Sequence, residues 1–164
     1  MSGIEKFSFL GYTENWIVSW QNIQLFQPVM VLLSTIASGP FYLVAVAFIY
    51  WIGQKELGIK LGIFWFFGGV LNGILKYIIF DPRPSWISKR IIPFENYSSL
   101  GMPSGHAQSA CGWFLVSRNR WTFLVVLLYV FGVGLSRVYL GGHSISQILT
   151  GWLVGITLFI VLSI

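Results

Sequence analysis

Long apolar stretches constrain this chain most, because each is long enough to cross a lipid bilayer. They cover residues 29–52, 61–80, 121–140 and 144–164. A helix needs about 20 apolar residues to cross roughly 30 Å of hydrocarbon. Only 9% of the 164 residues are charged and 55% are hydrophobic, whereas soluble domains carry about 25% charged residues. The chain cannot cover itself with a water-soluble surface, and the sequence predicts an integral membrane protein.

A shorter, more polar stretch at residues 103–116 is interpreted as a further spanning helix, which makes five spans. Its polar side chains must then face protein or water rather than lipid. The Gly39-Pro40 pair within the first span predicts a kink there. Residues 1–27 lack a long apolar run, and their tryptophans at helical spacing favour a helix that lies in the membrane interface.

The predicted fold class is therefore all-α: a polytopic transmembrane helix bundle of about five spanning helices with an N-terminal interfacial helix. Residues 1–164 are predicted to form a single membrane-embedded domain, in which 1–27 is the interfacial segment and 28–164 the helical bundle. The single cysteine, Cys111, excludes an internal disulfide and a cysteine cluster for zinc. Nothing in the sequence fixes an oligomeric state.

The net charge of +5 indicates a bilayer with anionic lipids or an anionic substrate. Nucleic acid is excluded as a partner because the sequence has no basic run or stripe. With five spans, one side of the membrane holds four basic loop residues and the other holds three. These are Lys55, Lys60, Arg118 and Arg120 against Lys6, Lys89 and Arg90. The positive-inside rule therefore favours a cytoplasmic position for residues 54–60, by a small margin.

Five chemically active side chains fall on the other, extracytoplasmic side. Lys76 and Arg83 lie at the end of the second span and His106 at the start of the third. Arg137 lies near the end of the fourth span and His143 precedes the fifth. Since these span ends share one membrane face, we expect the two histidines and three cations to converge.

Three cations beside the start of a helix suit a phosphoryl group. Pro103 fits the first turn of that helix and would leave backbone N–H groups after it free to bind an anion. One histidine can attack phosphorus while the other protonates the leaving oxygen. No carboxylate cluster is available for a metal ion, so no metal or other cofactor is predicted. The alternative is a Pro/Gly turn before an amphipathic helix, with His106 merely packed in the core.

Three ordered motifs now suggest a family. Residues 76–84 fit K-x6-R-P, residues 103–106 read P-S-G-H, and residues 136–143 fit S-R-x5-H. In this order and spacing the chain resembles the type 2 phosphatidic acid phosphatase superfamily of membrane lipid phosphatases. Members usually have six spans, so the first span is expected to be reduced or lost here.

The resemblance implies a role for each motif residue. His143 would be the nucleophile that forms a phosphohistidine, and His106 would protonate the leaving group and then activate water. The phosphoryl oxygens would be held by Lys76, Arg83, Arg137, Ser104 and the backbone N–H of Gly105. The substrate would be a membrane lipid phosphomonoester or pyrophosphate, such as phosphatidic acid, phosphatidylglycerophosphate or a polyprenyl pyrophosphate.

One position departs from the family pattern. The third motif normally ends H-x3-D, with an Asp that orients the nucleophilic histidine, and here that position is Gln147. Gln147 would either orient His143 without a charge or cap its own helix through a Ser144–Gln147 capping box. Asp81 could replace the missing carboxylate from the preceding loop, but nothing in the sequence places it there. The substitution predicts a slower enzyme, and it leaves two alternatives: a phospholipid-binding protein without turnover, or a lipid phosphotransferase.

Overall fold

The computed structural model describes residues 8–164, with side chains from residue 14, and the regular elements of that range are all helical. The longer helices are α1 (Ser8–Gln21), α2 (Gln27–Thr35), α3 (Gly39–Trp51), α4 (Lys55–Ile79), α7 (Arg120–Tyr139) and α8 (Ile145–Ser163). Two short helices, α5 (Pro84–Ile87) and α6 (Gly105–Ala110), lie between them. Two 3₁₀ segments occupy Gln24–Phe26, before α2, and Cys111–Val116, after α6. The predicted all-α class is confirmed.

Three stretches of the described chain are each long and apolar enough to span a membrane: Lys55–Ile87, Arg120–Tyr139 and Ile145–Ser163. The predicted first span is a helix pair bent by 53° between Thr35 and Gly39, and it makes a fourth span if both halves cross as one. The predicted kink is thus present, with Pro40 in the first turn of α3. Residues 103–116 form α6 and a 3₁₀ turn rather than one long helix, so the count of five stays a prediction.

The short helix α6 lies at the centre of the bundle and contacts α4, α7 and α8. Close approach to α8 depends on two glycines, since a Cβ on Gly151 would lie 2.6 Å from the Ser104 carbonyl oxygen and one on Gly155 would lie 2.6 Å from that of Gln108. On the other side, Asn72 Nδ2 donates to Gln108 Oε1 (2.8 Å) and Gln108 Nε2 donates to the Gly68 carbonyl (2.7 Å). These contacts fix the P-S-G-H segment between α4 and α8.

Polar side chains lie inside the bundle and large apolar ones lie outside. Arg137, His143 and Gln147 are buried, whereas Leu43, Leu128 and many similar residues are exposed. This arrangement suits hydrocarbon as the surrounding solvent, in which polar groups must be satisfied within the protein. Together with the apolar helices, it identifies the chain as an integral membrane protein.

Helix α1 packs against α7 through the fully buried Ile17, while Trp16 is exposed. Its last residue, Gln21, donates to the carbonyls of Ile92 (2.8 Å) and Tyr139 (2.9 Å) and accepts from the Ile92 backbone N–H. Helix α1 is therefore hydrogen-bonded both to the loop after α5 and to the end of α7. An interfacial position for residues 1–27 stays a prediction, and residues 1–7 lie outside the described range.

Candidate active site

The turn between α7 and α8 presents His143, which is 2% exposed. Gly141 has a φ of +71°, and a Cβ there would lie 2.7 Å from the Ile92 carbonyl oxygen, so the turn requires glycine. The His143 backbone N–H donates to the Arg137 carbonyl (3.2 Å). Ser144 then caps α8, with its hydroxyl accepting from the Gln147 backbone N–H (3.4 Å). The histidine is thus held between a glycine turn and a helix cap.

Gln147 fixes the tautomer of His143. Its amide Nε2 faces two acceptors, Asp81 Oδ2 at 2.6 Å and the Pro82 carbonyl at 2.8 Å. Its Oε1 faces the Ser144 backbone N–H and His143 Nδ1, each at 3.2 Å. In the reverse amide orientation, the Gln147 oxygen would face the oxygens of Asp81 and Pro82, and its NH₂ group would face the Ser144 N–H. Therefore Nδ1 carries the proton and donates to Gln147, which leaves the lone pair of His143 on Nε2.

The lone pair on His143 Nε2 points at Arg83. Arg83 Nη1 lies 3.1 Å from that nitrogen and also donates to the Gly142 carbonyl (2.9 Å). Arg83 Nη2 donates to the Ser99 hydroxyl (3.0 Å), and Lys76 Nζ approaches the same hydroxyl at 3.4 Å and donates to the Leu100 carbonyl. The Ser99 hydroxyl thus lies between two cations, in a setting that also suits a phosphoryl oxygen.

Arg137 is 1% exposed and pairs with Glu95, whose Oε2 lies 3.0 Å from Nη1. The same nitrogen donates to the Ser34 hydroxyl, which in turn donates to Glu95 Oε1 (2.9 Å). The Tyr97 ring lies between the two arginines, with its centroid 4.5 Å from the Arg83 guanidinium carbon and 5.5 Å from that of Arg137. Burial raises the pKa of Tyr97 to about 12, so its hydroxyl stays protonated and donates to the Leu140 carbonyl.

The P-S-G-H segment lies beside these cations. Ser104 is fully buried, and its hydroxyl has no hydrogen-bond partner among the described residues; the same holds for Arg137 Nε. Buried polar atoms are rarely left unpaired in proteins. His106 and Gly105 line a cavity of about 120 Å³ together with Asn72 and Gln108. The Ser104 hydroxyl and Arg137 Nε thus each keep a donor that no described residue uses.

The electrostatics of His143 indicate how tightly the groups cluster. Burial is the main cause that lowers its pKa well below the usual value, and the charges of Arg83, Arg137, Lys76 and His106 lower it further. A neutral, nucleophilic imidazole is therefore favoured well into the acidic range. The other four side chains that the sequence assigned to the same membrane face thus all act on His143.

Sequence reasoning did not assign Ser34, Glu95, Tyr97 or Ser99 to the site. The Tyr97 ring contacts both arginines. All but Ser34 belong to the loop between α5 and α6, and a connection of this length commonly covers a functional site. Within the described chain, no group of three or more His, Cys, Asp or Glu side chains is arranged to hold a metal ion.

Comparison with known proteins agrees with the motifs. Residues 57–164 match the model of the PAP2 superfamily. The chain is 29% identical to lipid phosphate phosphatase delta of Arabidopsis thaliana over 76% of its length, and 28% identical to sphingosine-1-phosphate phosphatase 1 of Mus musculus over 98%. It spans only 34% and 39% of the lengths of those two relatives.

Among solved structures, the fold is similar to that of a transmembrane PAP2-type phosphatidylglycerolphosphate phosphatase from Bacillus subtilis. The TM-score is 0.82 at 23% identity, and the match covers 98% of this chain and 87% of the other. At this level of identity the likeness concerns the fold.

Proposed function

The chain belongs to the PAP2 superfamily, and from this premise we propose that it is a membrane lipid phosphatase acting through a phosphohistidine on His143. The relatives named above act on lipid phosphates according to their names. The observation that carries the proposal is the setting of the His143 ring, whose Nδ1 lies 3.2 Å from Gln147 Oε1 and whose Nε2 lies 3.1 Å from Arg83 Nη1. A phosphomonoester or pyrophosphate of a lipid is the proposed substrate.

In the first step, His143 Nε2 attacks phosphorus and the bond from phosphorus to the leaving oxygen breaks. His106 gives its proton to that oxygen, so the lipid leaves as a neutral hydroxyl or a protonated phosphate. Three cations, Lys76, Arg83 and Arg137, stabilise the charge on the phosphoryl oxygens. The Ser104 hydroxyl and the Gly105 backbone N–H supply further donors, which the unpaired state of Ser104 Oγ supports.

In the second step, water attacks the phosphohistidine, His106 takes a proton from that water, and the bond between His143 and phosphorus breaks. Inorganic phosphate leaves and both histidines return to their starting states. The charge stabilisation comes from protein cations alone, so we expect turnover in the presence of a metal chelator.

We also propose that the site opens on the extracytoplasmic face. Arg118 Nη2 donates to Gln54 Oε1 (3.0 Å), so the loops bearing the four basic residues lie together, at the end of the bundle opposite His143. The positive-inside rule then supports a cytoplasmic position for that end.

The direct test is phosphate release from purified protein in detergent, in the presence of a chelator. Phosphatidic acid, phosphatidylglycerophosphate, sphingosine 1-phosphate and a polyprenyl pyrophosphate form a suitable panel. We expect release from at least one lipid and a loss of at least about 10³-fold in kcat for His143→Ala. Folded protein that releases phosphate from none of them, or a His143→Ala variant with full activity, would contradict the proposal.

A phospholipid-binding protein without turnover is the second candidate, and the observation that favours it is the amide at position 147. The same panel decides between the two, because a binding protein would retain lipid without releasing phosphate. Analysis of labelled products distinguishes hydrolysis from transfer of the phosphoryl group to another lipid.

A further inference from the structure

Asp81 makes a contact that its position in the motif does not suggest. It occupies a variable position of K-x6-R-P, between the phosphate-binding candidates Lys76 and Arg83. Its Oδ2 lies 2.6 Å from Nε2 of Gln147, which is fully buried and in turn contacts His143. Asp81, Gln147 and His143 therefore form one hydrogen-bonded chain that ends on the nucleophilic imidazole.

The backbone around Asp81 holds it in that place. Phe80, which ends α4, has a φ of 53°, a left-handed conformation that is unfavourable for a residue with a side chain. This residue ends the helical conformation of α4 directly before Asp81. The Asp81 carbonyl then accepts from the Gly101 backbone N–H at 2.8 Å, and a Cβ on Gly101 would collide with the Gln147 side chain. The carboxylate is thus positioned from both sides of the turn.

We propose that Asp81 is a positioning residue that supplies, through the Gln147 amide, the orientation and negative charge that a carboxylate at position 147 would give His143 directly. The inference rests on the proposed function, in which His143 Nε2 attacks phosphorus. When it does so, the imidazole becomes positively charged. An amide that donates to a carboxylate is a stronger acceptor at its own oxygen, because hydrogen bonds in a chain polarise one another. Through this polarisation, the negative charge of Asp81 strengthens the hydrogen bond that the Gln147 oxygen accepts from His143.

The sharpest test moves the negative charge from position 81 to position 147. Asp81→Asn keeps an acceptor for Gln147 Nε2 but removes the charge, and we expect kcat to fall about tenfold or more with KM within about twofold, as when an outer partner of a functional histidine is lost. Gln147→Glu alone would set two carboxylates against each other across the 2.6 Å contact, so kcat should fall as well. The double variant Asp81→Asn/Gln147→Glu restores one charge and a donor–acceptor pair between positions 81 and 147, while the Pro82 carbonyl loses the donor that lies 2.8 Å from it in the wild type.

We expect the double variant to be several-fold faster than Gln147→Glu, because the two changes are coupled. A control is Glu14→Gln, which removes an acid that pairs with Arg90 (3.4 Å) away from His143. Asp81→Asn with wild-type kcat, or a double variant no faster than Gln147→Glu, would overturn the inference. Neither result would affect the proposed function, which is tested separately by phosphate release from the wild type and by its loss in His143→Ala.

A second readout needs no turnover. The sequence contains two histidines, so a His106→Gln background leaves His143 alone in a ¹⁵N-histidine NMR spectrum. We expect a protonated Nδ1 whose proton resonance moves upfield in Asp81→Asn, since the acceptor is weakened, and stays in place in Glu14→Gln. An unmoved resonance in Asp81→Asn would refute the role of Asp81 even for a protein without activity.

Discussion

At the scale of single residues, the site depends on which nitrogen of His143 carries the proton. An imidazole that presented its N–H to phosphorus could not attack it. Gln147 excludes that tautomer, because its oxygen faces Nδ1 and its amide nitrogen is occupied by Asp81 and Pro82. The same oxygen accepts from the Ser144 backbone N–H. Capping α8 and orienting His143, which the sequence left as alternatives, are therefore compatible functions of one amide.

The lowered pKa of His143 predicts a stability that depends on pH. Burial lowers the pKa in the folded state, whereas in the unfolded chain it is about 6.5. Below pH 6.5 the unfolded state binds a proton that the folded state does not bind. The free energy of unfolding therefore falls by about 1.4 kcal/mol per pH unit. Between pH 6.5 and 5 the unfolding free energy of the wild type should therefore fall more than that of His143→Gln, which is measured as a larger drop of Tm in detergent. Parallel curves for the two proteins would contradict the prediction.

The Glu95 carboxylate should compete with a phosphoryl group for Arg137. Its carboxylate contacts the guanidinium at 3.0 Å, so a phosphoryl oxygen must approach Arg137 beside a negative charge. Glu95→Gln keeps an acceptor and removes the repulsion. Because Glu95 is partly exposed and screened by solvent, we expect a modest effect, about a three- to tenfold lower inhibition constant for orthovanadate. Glu14→Gln is the matched control and should leave the constant unchanged; a higher constant for Glu95→Gln would show that Glu95 assists anion binding.

At the scale of helices, α6 is short and polar, and its position is set by its neighbours. Gly151 and Gly155 let α8 approach its backbone, while Asn72 and Gln108 connect it to α4. Small residues and interhelical hydrogen bonds are the usual means by which helices associate in a membrane. The site residues Ser104, Gly105 and His106 are thus positioned by packing that lies deeper in the bundle.

Gly151→Ala tests this packing. The new methyl group would meet the Ser104 carbonyl oxygen at 2.6 Å and push α6 away from α8. Overpacking of this kind costs about 1–3 kcal/mol, and kcat should fall because Ser104 and His106 move with α6. Gly73→Ala is the control, since a Cβ there meets no atom within 4 Å. Thermal unfolding in detergent and phosphate release measure both effects, and a Gly151→Ala variant as stable and active as Gly73→Ala would contradict them.

At the scale of the whole molecule, the sequence predicted most of what depends on order along the chain. Apolar runs identified the long helices, and motif order placed the ionisable side chains at one end. Contacts between distant segments could not be derived in this way. The pairing of Asp81 with Gln147 and of Glu95 with Arg137 depends on how a loop folds back over the bundle. Residues 103–116 also read as a span by hydropathy, although tight packing accommodates them as a short helix and a 3₁₀ turn.

The orientation of the bundle predicts which residues a membrane-impermeant reagent reaches. Cys111 is buried and is the single cysteine, so a Cys111→Ala background accepts new probes. Lys89→Cys, beside the site, should react with an impermeant maleimide in intact cells. Glu56→Cys, at the opposite end, should react only after permeabilisation. Both positions are exposed, and the reverse pattern would place the site in the cytoplasm.

The central claim is that phosphorus becomes bonded to Nε2 of His143. Rapid alkaline quenching of the protein with a ³²P-labelled lipid phosphate, followed by digestion and identification of the modified ring nitrogen, tests it directly. We expect a label on Nε2 of His143, close to one per active molecule at early times, and no label in His143→Ala. A label on Nδ1 or on His106, or turnover with no labelled histidine, would contradict it.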